Sequence, residues 1–324
     1  MKRIFQIGIL LLVSVLTACM KDDITDCDVK LRFAYTYNMK NTNAFSEEVA
    51  QVRVWVFDEE QRLVDHYSEQ RTSWDNEDFF SIPHLHKGDY TFVTMARSRD
   101  EIGDFSDYEI ADLSLGEPID SLWARLQRDE RGNNNCRLNN FLLGAQQVSI
   151  TGRAQHITLE LMKYTNTVRI LLMPANEEEM LEDEQLDIWI EGKNGWLTYD
   201  GKNYREDRLI YRPYYQTTLR EEDGKRGVVH QVTVAELSTS RFLYDQEPRL
   251  IVRHKVSGTE IININLAWLL SLQAIGEHQE KWSNQEYLDR QDEYALTFFV
   301  SGQTWLQSQI IVNGWVLSFS DIGL

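Results

Sequence analysis

The chain is 324 residues long and carries 51 acidic against 33 basic side chains, a formal net charge of −18. Such a surface repels nucleic acid and anionic headgroups, so no nucleic-acid partner is expected through a basic face. Hydrophobic residues at 42 % and aromatics at 11 % supply a packed core and exclude a disordered chain, and the length fits about two domains.

Lys2 and Arg3 precede an apolar run, residues 4–16, broken only by Gln6, Gly8 and Ser14. The run has the length of a signal-peptide core and is too short to span a bilayer as a helix. It ends in Leu16-Thr17-Ala18-Cys19, which resembles the lipobox of bacterial lipoproteins, where the Cys sulfur is acylated before cleavage. Residues 1–18 are therefore expected to be a lipoprotein signal peptide, lipidated Cys19 the first mature residue, and 19–28 a tether. One acyl chain binds a membrane only marginally, whereas two or more make a lasting anchor. Lys21, Asp22 and Asp23 resemble the Lys-(Asp/Glu)₂ signal of surface-exported lipoproteins in Bacteroides-type bacteria, which implies an outer-membrane protein facing the cell surface; a solvated linker is the plainer reading of the same charges. Cys27 and Cys136 remain. In an oxidising compartment they can form a disulfide worth ~4–5 kcal/mol of chain entropy, the alternative being two unpaired thiols.

From Val29 onward the hydrophobic pattern has period two, the mark of strands with one buried face. Strands are expected at 29–37, 52–57, 62–67, 79–82, 89–96, 141–144, 146–150 and 155–162. Between them, 98–135 reads as polar and irregular, with a short helix over 119–126 and a loop at 132–135. A second set follows at 166–173, 186–191, 196–199, 209–211, 228–237, 249–256 and 259–266, with Ser257-Gly258 as a hairpin turn. Residues 277–290 form the one convincing helical window. The chain then closes on strands at 294–300 and 309–319. The count and spacing fit antiparallel β-sandwiches better than a β/α alternation. The expected division is 29–163 and 164–324.

The order of several segments resembles the FimB-like (FimB/Mfa-type) fimbrial anchor lipoproteins of Bacteroides-type bacteria. They are the lipobox with its acidic follow-on, Asp26-Cys27-Asp28 before Leu31-Arg32-Phe33, Val54-Trp55-Val56-Phe57, and Leu142-Leu143-Gly144. Tyr287-Leu288-Asp289-Arg290-Gln291-Asp292-Glu293-Tyr294 and Ile311-Val312-Asn313-Gly314-Trp315 complete the series. The resemblance implies an all-β protein of two tandem transthyretin-like sandwich domains. It also implies a minor fimbrial subunit, held in the outer membrane by its lipid, that attaches a fibre and terminates assembly. Its partners would be a stalk pilin or accessory subunits, joined by β-strand complementation. Ile310, Val312, Trp315 and Leu317, in the closing strand, are the candidate strand-exchange region; a strand apolar on both faces is also what a central sandwich strand looks like. A surface adhesin or glycan-binding module on the same scaffold is the alternative.

Other chemistry leaves little trace. His84 and His86 share a face if extended but have no acidic or Cys ligand at metal spacing. The acidic run 177–184 lacks the ordering of a tight calcium loop. Nucleophile-elbow, phosphate-loop, His-Glu-x-x-His and Cys-x-x-Cys motifs are absent from the sequence. No enzyme, cofactor or metal is expected, and the nine tryptophans read as packing rather than a sugar platform.

Overall fold

The computed structural model describes residues 29–98, 107–176, 182–204, 206–223, 228–274, 281–301, 304–312 and 315–320. The chain is mostly β-strand, as its patterning predicts. The first half runs β1 (Val29–Ala34), helical turn α1 (Phe45–Glu48), β2 (Gln51–Phe57), β3 (Leu63–Gln70), β4 (Phe80–Ile82) and β5 (Gly88–Arg97). It continues through β6 (Tyr108–Ile110), β7 (Trp123–Leu126), β8 (Asn133–Asn134), β9 (Phe141–Ile150), β10 (Gln155–Glu160) and β11 (Met162–Lys163).

Strands β10-β1-β4 form one sheet and β11-β9-β5-β2-β3 the sheet facing it. Between them Val29, Leu31 and Phe33 meet Val52, Val54, Val56, Phe92 and Leu142, all at most 2 % exposed. Phe33, Phe45, Trp74 and Phe80 close this core with ring centroids 5.4–6.0 Å apart. The opposite faces of the same strands are buried too: Trp55, Phe57, Val93, Met95, Phe141 and Leu143 belong to a second core. A sheet covered on both sides needs near-continuous apolar strands, which is why the 51–57 segment reads as almost unbroken hydrophobic. Gly144 lets β9 run through ten residues where two strands were expected, because a Cβ there would sit 2.3 Å from the Glu160 carbonyl.

The second half comprises β12 (Thr165–Pro174), β13 (Leu186–Gly192), β14 (Trp196–Thr198), β15 (Leu209–Tyr211), β16 (Tyr215–Asp223) and β17 (Val228–Ser240). Then come β18 (Arg249–His254), β19 (Glu260–Asn265), α2 (Leu266–Ser271), α3 (Asn284–Arg290), β20 (Glu293–Ser301), β21 (Thr304–Val312) and β22 (Trp315–Ser320). A six-stranded sheet, β16-β17-β12-β20-β21-β22, faces a five-stranded one, β19-β18-β13-β15-β8. Val168, Ile170, Leu172, Leu296 and Phe298 pack into the core shared with Ile188, Ile190, Leu250 and Val252. Each half opens with a strand that a later strand joins in parallel, β1 with β10 and β12 with β20. A third parallel pair joins β15 to β8, so the sandwich is not wholly antiparallel.

The structure corrects several local expectations. The predicted helix over 119–126 is a 3₁₀ turn, Ile119–Ser121, followed by β7. Asn133 and Asn134, expected in a loop, pair in parallel with Ile210 and Tyr211. The strand predicted to reach 266 stops at Asn265, whose side chain caps α2 by accepting from the Trp268 N–H at 3.0 Å. Positions 277–280 of the expected helix lie outside the described residues, among which the second half therefore has two short helices, α2 and α3, where one was expected. The second of them starts at a Ser-x-x-Glu signature, with Ser283 Oγ accepting from the Glu286 N–H. The long closing strand is a hairpin: β21 and β22 pair antiparallel, Val312 opposite Trp315. Asn313-Gly314, the dipeptide between them, is the strongest short-range hairpin signal in any sequence.

The irregular-looking segment proves to be what joins the halves. Strand β7 pairs with β14, and β8 with β15, so two sheets draw strands from both sides of residue 163. Tyr108 of β6 stacks on Phe141 at 4.3 Å and shares a 2.9 Å hydrogen bond with Ser240 at the end of β17.

Candidate functional site

The resemblance predicts a lipid-bearing N-terminal end and a strand-exchange region near the C-terminus, and the two fall differently on the structure. The expected lipidation site Cys19, the expected export signal Lys21, Asp22 and Asp23, and Cys27 lie outside the described residues. Val29, the first described residue, begins the central strand of the three-stranded sheet, paired on both sides. Cys136 is exposed just beyond β8.

The four residues singled out near the C-terminus come together on one hairpin. Ile310 pairs with Leu317 and Val312 with Trp315, so all four occupy matched register positions. On its other side β21 pairs with β20, Leu296 opposite Ile310. Strand β22 is the last of the six-stranded sheet, and among the described residues nothing pairs with its outer side. Strand β16 is the opposite edge. It was not foreseen in the sequence, although Tyr215, Thr217 and Leu219 alternate with Gln216 and Thr218. Tyr215 and Leu219 are half exposed, at 50 % and 53 %. The alternate positions of β16 are tied down: Thr218 Oγ1 donates to Asp183 at 2.8 Å, and the exposed Arg220 pairs with Glu182. The acidic run thus spends two of its carboxylates on this strand.

Between the edges lies a charged clasp built from the 287–294 block. Lys163 Nζ contacts Asp292 at 2.5 Å and Glu48 at 3.1 Å, joining α1, β11 and the start of β20. Burial disfavours the Lys163 charge, but Asp292 and then Glu48 outweigh it and raise its pKa. Arg241 holds Asp289 with two bonds of 2.6 and 2.7 Å and lies over the Tyr164 ring at 5.5 Å. Arg290 sits between Tyr37 of the first half and Trp282 of the second, 4.0 and 4.8 Å from their rings, and bonds Glu286. Tyr287 and Leu288 are 1 % exposed, and Tyr294 Oη donates to the Gln291 carbonyl at 2.8 Å. Below the clasp Tyr211 Oη donates to Asn194 Oδ1 at 2.7 Å, and full burial pushes its phenol up to about 12. Sequence reading found the block by resemblance and missed its partners Glu48, Lys163 and Arg241, which are scattered singly along the chain.

Trp55, Trp74, Trp123, Trp189, Trp196, Trp268 and Trp282 are all buried or half-buried. Trp196 lies between Tyr204 at 4.9 Å and Arg125 at 4.7 Å; Trp189 lies between Arg212 and Arg253 at 5.2 and 4.9 Å. Trp74 has Arg71 on it at 4.0 Å, and Trp55 is 6 % exposed. His84 and His86 are exposed around a turn where His84 takes φ = 61°. Among the described residues no three His, Cys, Asp or Glu side chains gather as a metal site, and no helix is long and apolar enough to cross a membrane.

Comparison with known proteins places this architecture. The chain is 28 % identical to a candidate polysaccharide-binding protein of Bacteroides thetaiotaomicron, with a TM-score of 0.75 over 91 % of this chain and 99 % of that one. A candidate adhesin from the same organism is 29 % identical, with a TM-score of 0.76 over 89 % and 96 % of the two chains. The fimbrial anchor protein Mfa2 of Porphyromonas gingivalis shares the fold at 21 % identity, with a TM-score of 0.66 over 89 % and 98 %. No curated protein matches the sequence. The sequence profile of the Fimbrillin-A associated anchor proteins Mfa1 and Mfa2 matches residues 24–321, and to that family of fimbria-associated anchors this chain belongs.

Proposed function

We propose that this protein is a minor fimbrial subunit, anchored in the outer membrane by lipid on Cys19 and facing the cell surface, that holds a fibre to the cell and terminates its assembly. The reading takes the chain as two transthyretin-like sandwiches, 29–163 and 164–324, fused by shared strands. The observation that carries it is the outer side of β22, unpaired among the described residues and at the far end of the sheet from β16. An edge strand offers main-chain donors and acceptors to an incoming strand, and alternate side-chain positions give the pairing its register. The partner is a stalk pilin or accessory fimbrial subunit. A lipid at one end and a strand edge at the other fit a subunit that ends a chain of strand exchange rather than continuing it.

A photo-crosslinking residue at Ser318, in β22, is expected to capture a fimbrial subunit in intact cells, whereas one at Thr217, in β16, is not. Capture from Thr217 alone would move the joining edge to β16. Cys19→Ala is expected to release the protein, with its fibres, into the medium; fibres retained by such cells would sink the lipid tether. Neutral replacements at Lys21, Asp22 and Asp23 should leave the protein on the periplasmic leaflet, seen as lost protease sensitivity on whole cells.

A further inference from the structure

Two clefts meet beside the clasp. The first, of about 440 Å³, runs over Tyr35, Lys163 and Asp292; the second, of about 610 Å³, opens toward Arg169, Tyr214 and Gln273. Met39, Arg137, Thr167, Gln291 and Glu293 line both, so the two form one groove along the junction of the halves. Each part falls in the range of about 300–1,000 Å³ that small-ligand sites occupy.

The groove holds hydrogen-bonding groups that no described residue uses. Gln273 is 3 % exposed and its Nε2 has no partner among the described residues. A buried amide left unbonded costs about 1–3 kcal/mol, so a donor kept in this state points to a ligand atom that completes it. Tyr35, 1 % exposed, lines the first cleft, and its hydroxyl bonds to no described residue. Arg137 and Glu293, both at the meeting point, form no ion pair among the described residues, whereas Arg169 is held by Glu236 and Lys163 by Asp292 and Glu48.

Two features define the occupant. Thr167 and Arg169 of β12, on the floor of the second cleft, are paired on both sides, with β17 and β20, so the floor they form offers no main-chain ladder to an added peptide strand. Recognition must come from side chains. Those side chains are balanced: Lys40, Arg137, Lys163 and Arg169 face Glu48, Glu236, Asp292 and Glu293, in a molecule of charge −18. A neutral ligand whose groups both donate and accept fits this mixture, and hydroxyls are such groups. From the groove, its unpartnered amide and its balanced lining, we propose that the junction of the halves binds a neutral oligosaccharide. This deepens the adhesin alternative by giving it a site that uses no stacked tryptophan, and it stands whether or not the protein anchors a fibre.

The test uses the detergent-solubilised full-length lipoprotein, purified without pilin, on a printed array of neutral oligosaccharides with a hexaglutamate peptide alongside. Titration calorimetry on the best neutral glycan then compares Arg137→Ala and Glu293→Gln, two positions where folding does not depend on an ion pair, with the parent protein. At least one neutral glycan is expected to bind, with each substitution weakening it about tenfold, the size of one lost hydrogen bond to a charged group. The proposal is overturned if no neutral glycan binds, if both variants bind it as the parent does, or if hexaglutamate alone is retained. Fibre attachment, read separately by the crosslink at Ser318, is unaffected by any of these outcomes.

Discussion

The central sheet of the first half and the large sheet of the second are built from similar strands and end in different situations. Sheet β11-β9-β5-β2-β3 is packed on both faces, so Val54 and Phe92 on one side and Trp55 and Val93 on the other are all at most 6 % exposed. The six-stranded sheet buries Val168, Ile170 and Leu172 but turns Thr167 and Arg169 outward, and at its edge Leu219 is 53 % exposed. The first sheet is a structural floor with its position over-determined. The second has exposed side chains on one face and, among the described residues, two edge strands, β16 and β22, with unpaired outer sides, the kind of edge to which a further strand can add.

That contrast is sharpest at single side chains. Gly201→Ala should be the most damaging: Gly201 has φ = 75° and a Cβ there would meet the Tyr164 hydroxyl at 1.8 Å, beneath the clasp. Backbone strain and displacement of Tyr164 are expected to cost upward of about 3 kcal/mol, read as a lower denaturant midpoint. Phe92→Ala, in the doubly covered sheet, should cost about 3–5 kcal/mol through the cavity it leaves. Lys163→Met leaves Glu48 and Asp292 without their shared cation and should cost about 3 kcal/mol in the same assay. The least effect is expected of Leu219→Ala on the open edge, within about 0.5 kcal/mol. A Leu219→Ala loss as large as that of Phe92→Ala would mean that β16 is covered and that the two sheets do not differ as described.

The pH dependence of the clasp follows from the raised Lys163 pKa. A lysine whose pKa is higher folded than unfolded contributes its full stability below the ordinary lysine value and loses it as pH rises through the folded value. The stability difference between the parent and Lys163→Met should therefore stay constant from pH 7 to 9 and shrink only in strong alkali. A difference that vanished by pH 9 would show Lys163 to be no buried cation.

Much of this was legible in the residues. Strict alternation at 29–34 and the apolar run at 52–57 identify strands because the side-chain period of a strand is two and a doubly buried strand admits little polarity. Period alone failed where strands are short or polar. Glu109, Arg125, Asn133 and Asn134 give no hydrophobic signal, yet β6, β7 and β8 complete sheets whose other strands come from far along the chain. The closing segment misled for the opposite reason: its apolar pattern continues across Asn313-Gly314, and continuity outweighed the turn signal there. The clasp was half visible, since its acidic and aromatic block is contiguous in sequence while Glu48, Lys163 and Arg241 are single charges.

By itself, then, the sequence determined what local chemistry controls: the all-β class, most strand positions and a helix before β20. Tertiary structure alone decided what depends on partners distant in the chain. It set which strands join the two halves, which strands form the edges of the large sheet, and where Lys163, Arg241 and Arg290 find their counterparts. It also left Gln273 buried beside an open groove. Pattern reports which face a residue presents, and only the folded chain fixes what meets that face.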